Sequence, residues 1–321
     1  LFYIATSVIC AVAWDVDVLI AARFLHALGA GAAGVVVRSV VRDKFQGDLA
    51  ARAFSLMMVV MLLAPLLAPI LGGQVLEYFG WRGIFWFLTG FGALCFVAVI
   101  FMLPESHPPE RRAQTSVLGM MVNYLTVARN KRTMGCILTS VAAFGGLFAY
   151  ISGSPFVYIE LFHVPSQYYG FLFGMTALGL MIGSFANSRL VMRFGARRMM
   201  RVGVTSAAIW SLAVLTVGWS GVGGLYALVA TLVLFIASLS LVASNSIALA
   251  VDPFPRQAGT VNALLGFLQF GVGAIAGVAV GQLHDGTALP MVAVIAVCGV
   301  SGFLADRFLV KDAPAVQSQN A

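Results

Sequence analysis

Apolar runs, most of them about twenty residues long, recur along the whole chain, at approximately 1–14, 18–40, 53–75, 82–103, 133–154, 168–188, 202–219, 224–249, 259–282 and 288–309. Segments of that length cross a hydrocarbon layer, where backbone amides and carbonyls must bond within the protein, and only helices or closed barrels achieve this. Barrel strands would read as ten-residue alternating stretches, whereas these runs are continuous and rich in Gly and Ala. With 60% hydrophobic residues and 10% charged, and a mean hydropathy of +0.96, the chain has too little polar surface to cover a water-exposed globule. The expected fold class is an all-α integral membrane bundle.

The formal charge of +7 reflects topology and not a nucleic-acid surface, because the basic residues sit between apolar runs without interleaved aromatics. With Leu1 on the cytoplasmic side, the basic residues of 38–52, 111–132, 189–201, Arg256 and 307–311 fall on that side, and Arg82 falls on the other. Acidic Asp15, Asp17, Glu77, Glu160 and Asp285 collect in the short outer turns. The longest polar interval, 104–132, holds Pro108, Pro109 and a mildly amphipathic VLGMMVNYLTVARNKR. It reads as a cytoplasmic linker with a short surface helix, dividing a bundle at 1–103 from a bundle of six runs at 133–310, with a cytoplasmic tail at 311–321.

Leu1 to Trp14 has neither the basic flank nor the small-residue cleavage site of a signal peptide, and fourteen residues reach only about 21 Å. The chain is therefore expected to begin inside a helix, with further sequence upstream. Cys10, Cys95, Cys136 and Cys298 are widely separated within apolar runs and read as packing residues. His107 lies in the linker and His163 and His284 in outer turns, so no metal-ligand set is expected. No Ser/His/Asp set, phosphate-cradling loop or nucleotide motif is present, which argues against an enzyme and against a cofactor.

Arg23 to Gly34, RFLHALGAGAAG, places a guanidinium and an imidazole one helical turn apart inside an apolar run. A charged side chain at the bilayer centre costs at least roughly 2.5 kcal/mol, so Arg23 is expected to face a cavity and not lipid. His26 has two open roles, as a proton carrier or as a packed neutral ring. Ala64 to Gly73, APLLAPILGG, combines Pro65 and Pro69, which lack a backbone donor and are expected to bend the helix, with Gly72 and Gly73, which allow close approach of a neighbour.

Arg193 to Arg201, RFGARRMMR, places Gly195 at a turn among arginines, which mark topology or clamp a helix C-terminus or an acidic partner. Asn245, Asn262 and Gln269 are amides within apolar runs that line a path or bond across helices. Tyr150, Ser152, Ser154, Pro155 and Tyr158 give one run a polar, breakable outer end suited to a gate or to an interfacial aromatic belt.

The stretches RFLHALGAGAAG with SVVRDKF, MLLAPLLAPILGG with FGWRGIFW, and ALAVDPFPRQAGTVNALLGFLQF resemble the Bcr/CflA drug-resistance transporters of the major facilitator superfamily, over nearly the whole chain. The resemblance implies the twelve-helix fold of two six-helix halves, with about ten helices present here, and export of drugs in exchange for protons. It implies that Arg23 is the fourth-helix arginine associated with proton coupling, with His26 where Gln is more usual. Pro65, Pro69, Gly72 and Gly73 match the fifth-helix antiporter motif that seals and hinges the halves, with Ala64 in place of its usual Gly. Gly195, Arg197 and Arg198 match the second copy of the loop motif between the second and third helices, and Ser244 stands where Pro commonly precedes the Asn.

On that resemblance the first copy of the loop motif and the first two helices are absent. No Asp or Glu lies in the middle of a run, so a proton-carrying carboxylate is expected upstream, unless His26 substitutes. The expected partners are a small drug-like substrate, protons and the lipid bilayer, in a multi-pass inner-membrane protein with both ends cytoplasmic, a monomer when complete. Two other readings stay open: export of an endogenous metabolite or peptide, and a truncated, transport-inactive membrane protein or assembly subunit.

Overall fold

The computed structural model describes residues 1–44, 47–102 and 117–310. The expected linker segment 104–116 and tail 311–321 lie outside the described residues, as do the side chains of Pro65, Arg38, Arg42 and Arg256. Every regular element among the described residues is helical. Seven stretches among them are long and apolar enough to cross a membrane: Leu67–Phe101, Lys131–Leu161, Ser166–Phe194, Ala196–Ser220, Gly224–Val251, Ala258–Gln282 and Leu289–Leu309.

The chain divides into two compact units, Leu1–Gln114 with Ser166–Gly174, and Thr115–Pro165 with Met175–Ala321. In the first, α1 (Phe2–Val12) packs against both α2 (Val16–Lys44) and α3 (Gly47–Met102). The packing is close because Gly29 brings the backbone of α2 to Tyr3, where a Cβ would stand 3.2 Å from its N and Cα. At the start of α2, Asp15 accepts from the Val16 amide at 2.7 Å, which gives one of the helix's free donors a partner. Arg82 donates to the Ala13 carbonyl at 2.9 Å, so the basic residue expected on the outer side closes the end of α1. The expected runs 53–75 and 82–103 are the two arms of α3, joined at Gly80, whose φ of 68° and ψ of −179° are not helical. The helix passes through Pro65 and Pro69, and its break falls at the residue without a Cβ.

In the second unit α5 (Lys131–Pro155) is the central helix, packed against α8 (Gly224–Val251), α9 (Ala258–Gln282) and α10 (Leu289–Leu309), while α7 (Ala196–Ser220) packs against α8 and α10. The Asn130 side chain caps α5 by accepting from the Thr133 amide at 3.0 Å. Pro155, which lacks an amide donor, is followed by one π-helical turn, Phe156–Leu161, at the end the composition marks as breakable. The linker helix α4 (Val117–Arg129) does more than cover a surface. Its Val127 is wholly buried in a core with Ile137, Val141, Met200, Val242 and Leu265. Between α6 (Ser166–Phe194) and α7 the connection is Gly195 alone, at φ 80°, ψ 152°, which a side chain would strain.

Candidate functional site

Arg23 and His26 lie three residues apart on α2 and meet as the spacing demands, with Arg23 Nη1 3.1 Å from His26 Nδ1. A guanidinium only donates, so Nδ1 accepts and the neutral ring carries its proton on Nε2. His26 is 4% exposed and its Nε2 has no hydrogen-bond partner among the described residues. Tyr3 from α1 lies over the imidazole with ring centroids 4.2 Å apart. The Arg23 guanidinium lies 5.6 Å from the centre of the Phe85 ring on the second arm of α3 while the side chain stays exposed. Tyr3 and Phe85 escape a sequence reading, because nothing in their local spacing sets them beside position 26.

The two glycines of the Ala64–Gly73 segment have different surroundings. Residues 166–174, which belong to the same compact unit, pack against it. A Cβ on Gly170 would stand 3.0 Å from Ile70 Cα and 3.1 Å from Pro69 O, so two backbones touch without side chains between them. Gly73 faces the Ser166 carbonyl at 3.6 Å, whereas Gly72 has open space beside it and lines a cavity of about 310 Å³ with Leu67, Leu71 and Phe87. The intimate contact is made by Gly170, which sequence reasoning passed over, and not by Gly72.

In the second unit the amides are spread over separate helix pairs. Asn245 donates to Asn187 Oδ1 at 2.7 Å and Asn187 donates to the exposed Ser244 at 3.0 Å, a network between α6 and α8 whose two amides are buried and in which Asn187 is a new participant. Tyr150 is fully buried and accepts from Thr176 at 3.0 Å. Gln269 donates to Ser140 at 3.0 Å, joining α9 to α5. Asn262 is exposed.

Arg197 donates to the buried carboxylate of Asp306 and to the Val310 carbonyl, the latter at 2.7 Å, so it clamps the C-terminal end of α10 from within the same unit. Arg198 points elsewhere, 5.9 Å from the Phe194 ring. Nearby, Arg132 and Asp252 form a more exposed ion pair at 3.4 Å. Of the four cysteines, Cys10, Cys136 and Cys298 are buried, Cys95 is exposed and all are free.

A family model described as Major Facilitator Superfamily matches residues 1–278. A bicyclomycin resistance protein homolog of Haemophilus influenzae is 32% identical over 294 residues, covering 90% of this chain and 72% of the relative. The multidrug resistance protein MdtL of Escherichia coli O157:H7 is 26% identical over 269 residues, covering 83% of this chain and 66% of MdtL. Among solved structures, the inward-facing bacterial homolog of the human lysosomal transporter Spinster shares the fold with a TM-score of 0.71 at 16% identity, over 98% of this chain and 83% of that one.

Proposed function

The chain belongs to the major facilitator superfamily of transporters, and from that premise we propose that it is a secondary active exporter, moving amphipathic drug-like compounds outward in exchange for protons by alternating access. The observation that carries this reading is the Arg23–His26 hydrogen bond beside a buried Nε2 that has no partner among the described residues. That bond exists only while Nδ1 is bare. A proton arriving on the ring occupies Nδ1 and frees the guanidinium; its departure restores the bond. Protonation is thereby tied to where a membrane-depth positive charge points, which is what exchange of a proton for a substrate requires. The relatives named for bicyclomycin and multidrug resistance support a drug-like cargo.

In this reading the bundles 1–103 and 133–310 are the two moving halves, joined by the cytoplasmic linker 104–132, whose helix α4 moves with the second half because Val127 is part of its core. The backbone contact of Gly170 on Pro69 and Ile70 is part of the seal. Asn262 and Gln269 contact substrate, while Tyr150 and Asn245 serve packing through Thr176 and Asn187. The basic residues of 189–201 face the cytoplasm, both ends are cytoplasmic, and the protein works as a monomer in the inner membrane. Proteoliposomes test the reading. Drug efflux driven by an imposed pH gradient and abolished by a protonophore is the expected result, and efflux indifferent to both would overturn the coupling.

A further inference from the structure

The lipid-facing side of α7 carries a groove that its role as a plain membrane span does not explain. Arg201, Val202, Thr205, Ser206, Ile209 and Trp210 line a cavity of about 460 Å³. The inward stripe of α7 runs through Met199, Met200, Gly203, Val204, Ala207, Ala208, Ser211 and Val214. At about 100° per residue the groove falls on the opposite side of the helix. Val202 at 52% and Ile209 at 58% exposure confirm that it opens outward. A wall meant only for acyl chains would be aliphatic throughout, but this groove is floored by two hydroxyl residues and has a guanidinium at one end. Ser206 spends its hydroxyl on Ser238 at 2.7 Å, and Thr205 remains exposed.

Charge and length both bear on what occupies it. Residues 189–201 hold five arginines and no acid. Asp306 comes from another helix and is engaged by Arg197. Arg198, four residues before Val202 on the same helical side, is exposed one turn before the groove, its guanidinium 5.9 Å from the centre of the Phe194 ring. From Arg201 to Trp210 the helix rises about 14 Å, close to half of the roughly 30 Å hydrocarbon core. The groove therefore runs from headgroup depth to near the midplane, the reach of one leaflet.

We propose that this groove binds an anionic glycerophospholipid, with its phosphate against Arg198 and Arg201 and one acyl chain along Thr205, Ile209 and Trp210. Basic pockets at a helix end, next to apolar span surface, are suited to such headgroups. Under the orientation proposed above, the lipid belongs to the cytoplasmic leaflet, though binding does not depend on transport.

Trp210 supplies the test. In the full chain with Trp14, Trp81, Trp86 and Trp219 changed to Phe, its fluorescence is measured in phosphatidylcholine vesicles containing equal, low fractions of brominated phosphatidylglycerol or brominated phosphatidylcholine. Stronger quenching by the anionic lipid is expected, with the preference falling about tenfold in the Arg198→Gln, Arg201→Gln double variant. Equal quenching by the two lipids, or an unchanged preference in the double variant, would overturn the site. Relief of quenching by inorganic phosphate would also overturn it, since the site would then read a free anion. If the tryptophan-depleted chain does not fold, native mass spectrometry of the unmodified chain from mixed vesicles answers the same question. A retained phosphatidylglycerol that the double variant loses supports the site, and no retained anionic lipid refutes it.

Discussion

Arg197, two residues into α7, donates to the carboxylate of Asp306, which sits buried 109 residues away near the end of α10. With Val310 O as its second acceptor, one guanidinium ties the start of one helix to the end of another. Removing one partner of a buried pair leaves the other charge uncompensated, at a cost of roughly 3–5 kcal/mol when both are fully buried. Arg197 is 23% exposed, so Arg197→Ala is expected to fall below that range, at about 2–3 kcal/mol. A thermal melt in detergent should show a clear drop for Arg197→Ala and little change for Arg198→Ala. Equal melts for the two variants would mean that the clamp adds no stability.

Gly170 and Gly72 make a matched comparison. A Cβ at position 170 meets Ile70 Cα and Pro69 O, backbone atoms that cannot rotate aside, whereas at position 72 it meets nothing within 4 Å. Overpacking of this kind costs about 1–3 kcal/mol. Gly170→Leu is therefore expected to lower thermal stability and transport together, Gly170→Ala to do so mildly, and Gly72→Ala to leave both near the unmodified values. Ligand-free stability and initial efflux rates of the three variants, measured side by side, check the ordering.

What the sequence discloses and what it withholds follow a physical division. Gly195 is legible as a turn because it is the glycine in the arginine-rich interval between two apolar runs, and its φ of 80° agrees. The linker helix is legible from its amphipathic spacing, but the complete burial of Val127 is not, since the core it joins is assembled from distant parts of the chain, with α5 and α9 packed against its own helix. Pro65 and Pro69 attract attention as breakers, yet a helix can lose two amide bonds and continue, while the reversal at Gly80 needs a positive φ. Asp306 and Asn187 carry no local sequence signal that sets them apart. Their partners lie 109 and 58 residues away, at separations where local periodicity carries no information.

At the α9–α10 turn, Asp285 accepts from the Thr287 hydroxyl at 2.6 Å and from the Thr287 amide at 3.0 Å. These bonds, the hydroxyl first, favour the ionised form and hold the carboxyl below its usual range, with nearby His284 adding to the effect. A depressed folded-state value means that the contribution to stability is present above the unfolded pKa and fades as pH falls through the folded one. Thr287→Val removes the hydroxyl and keeps the amide. The Asp285 carboxyl should then titrate at a higher pH, followed by its carbon chemical shift, and an unshifted titration would refute the assignment of the hydroxyl as the main cause.

His26→Gln separates the two roles that the imidazole combines. The Gln carbonyl can accept from Arg23 as Nδ1 does at 3.1 Å, but an amide does not titrate. If His26 carries the exchanged proton, the variant should fold, keep Arg23 in place and still bind substrate, while efflux loses its dependence on the pH gradient. His26→Leu should be worse in another way, because it leaves Arg23 without its acceptor and forfeits the ring contact with Tyr3 at 4.2 Å. Arg23→Ala should reduce efflux by more than about tenfold, the effect of losing little more than 1.4 kcal/mol of coupling. The measurement is substrate efflux and proton uptake recorded together in proteoliposomes across a range of gradients. Gradient-driven efflux at the unmodified rate in His26→Gln would remove the ring from the proton path and leave it as the neutral acceptor that positions Arg23.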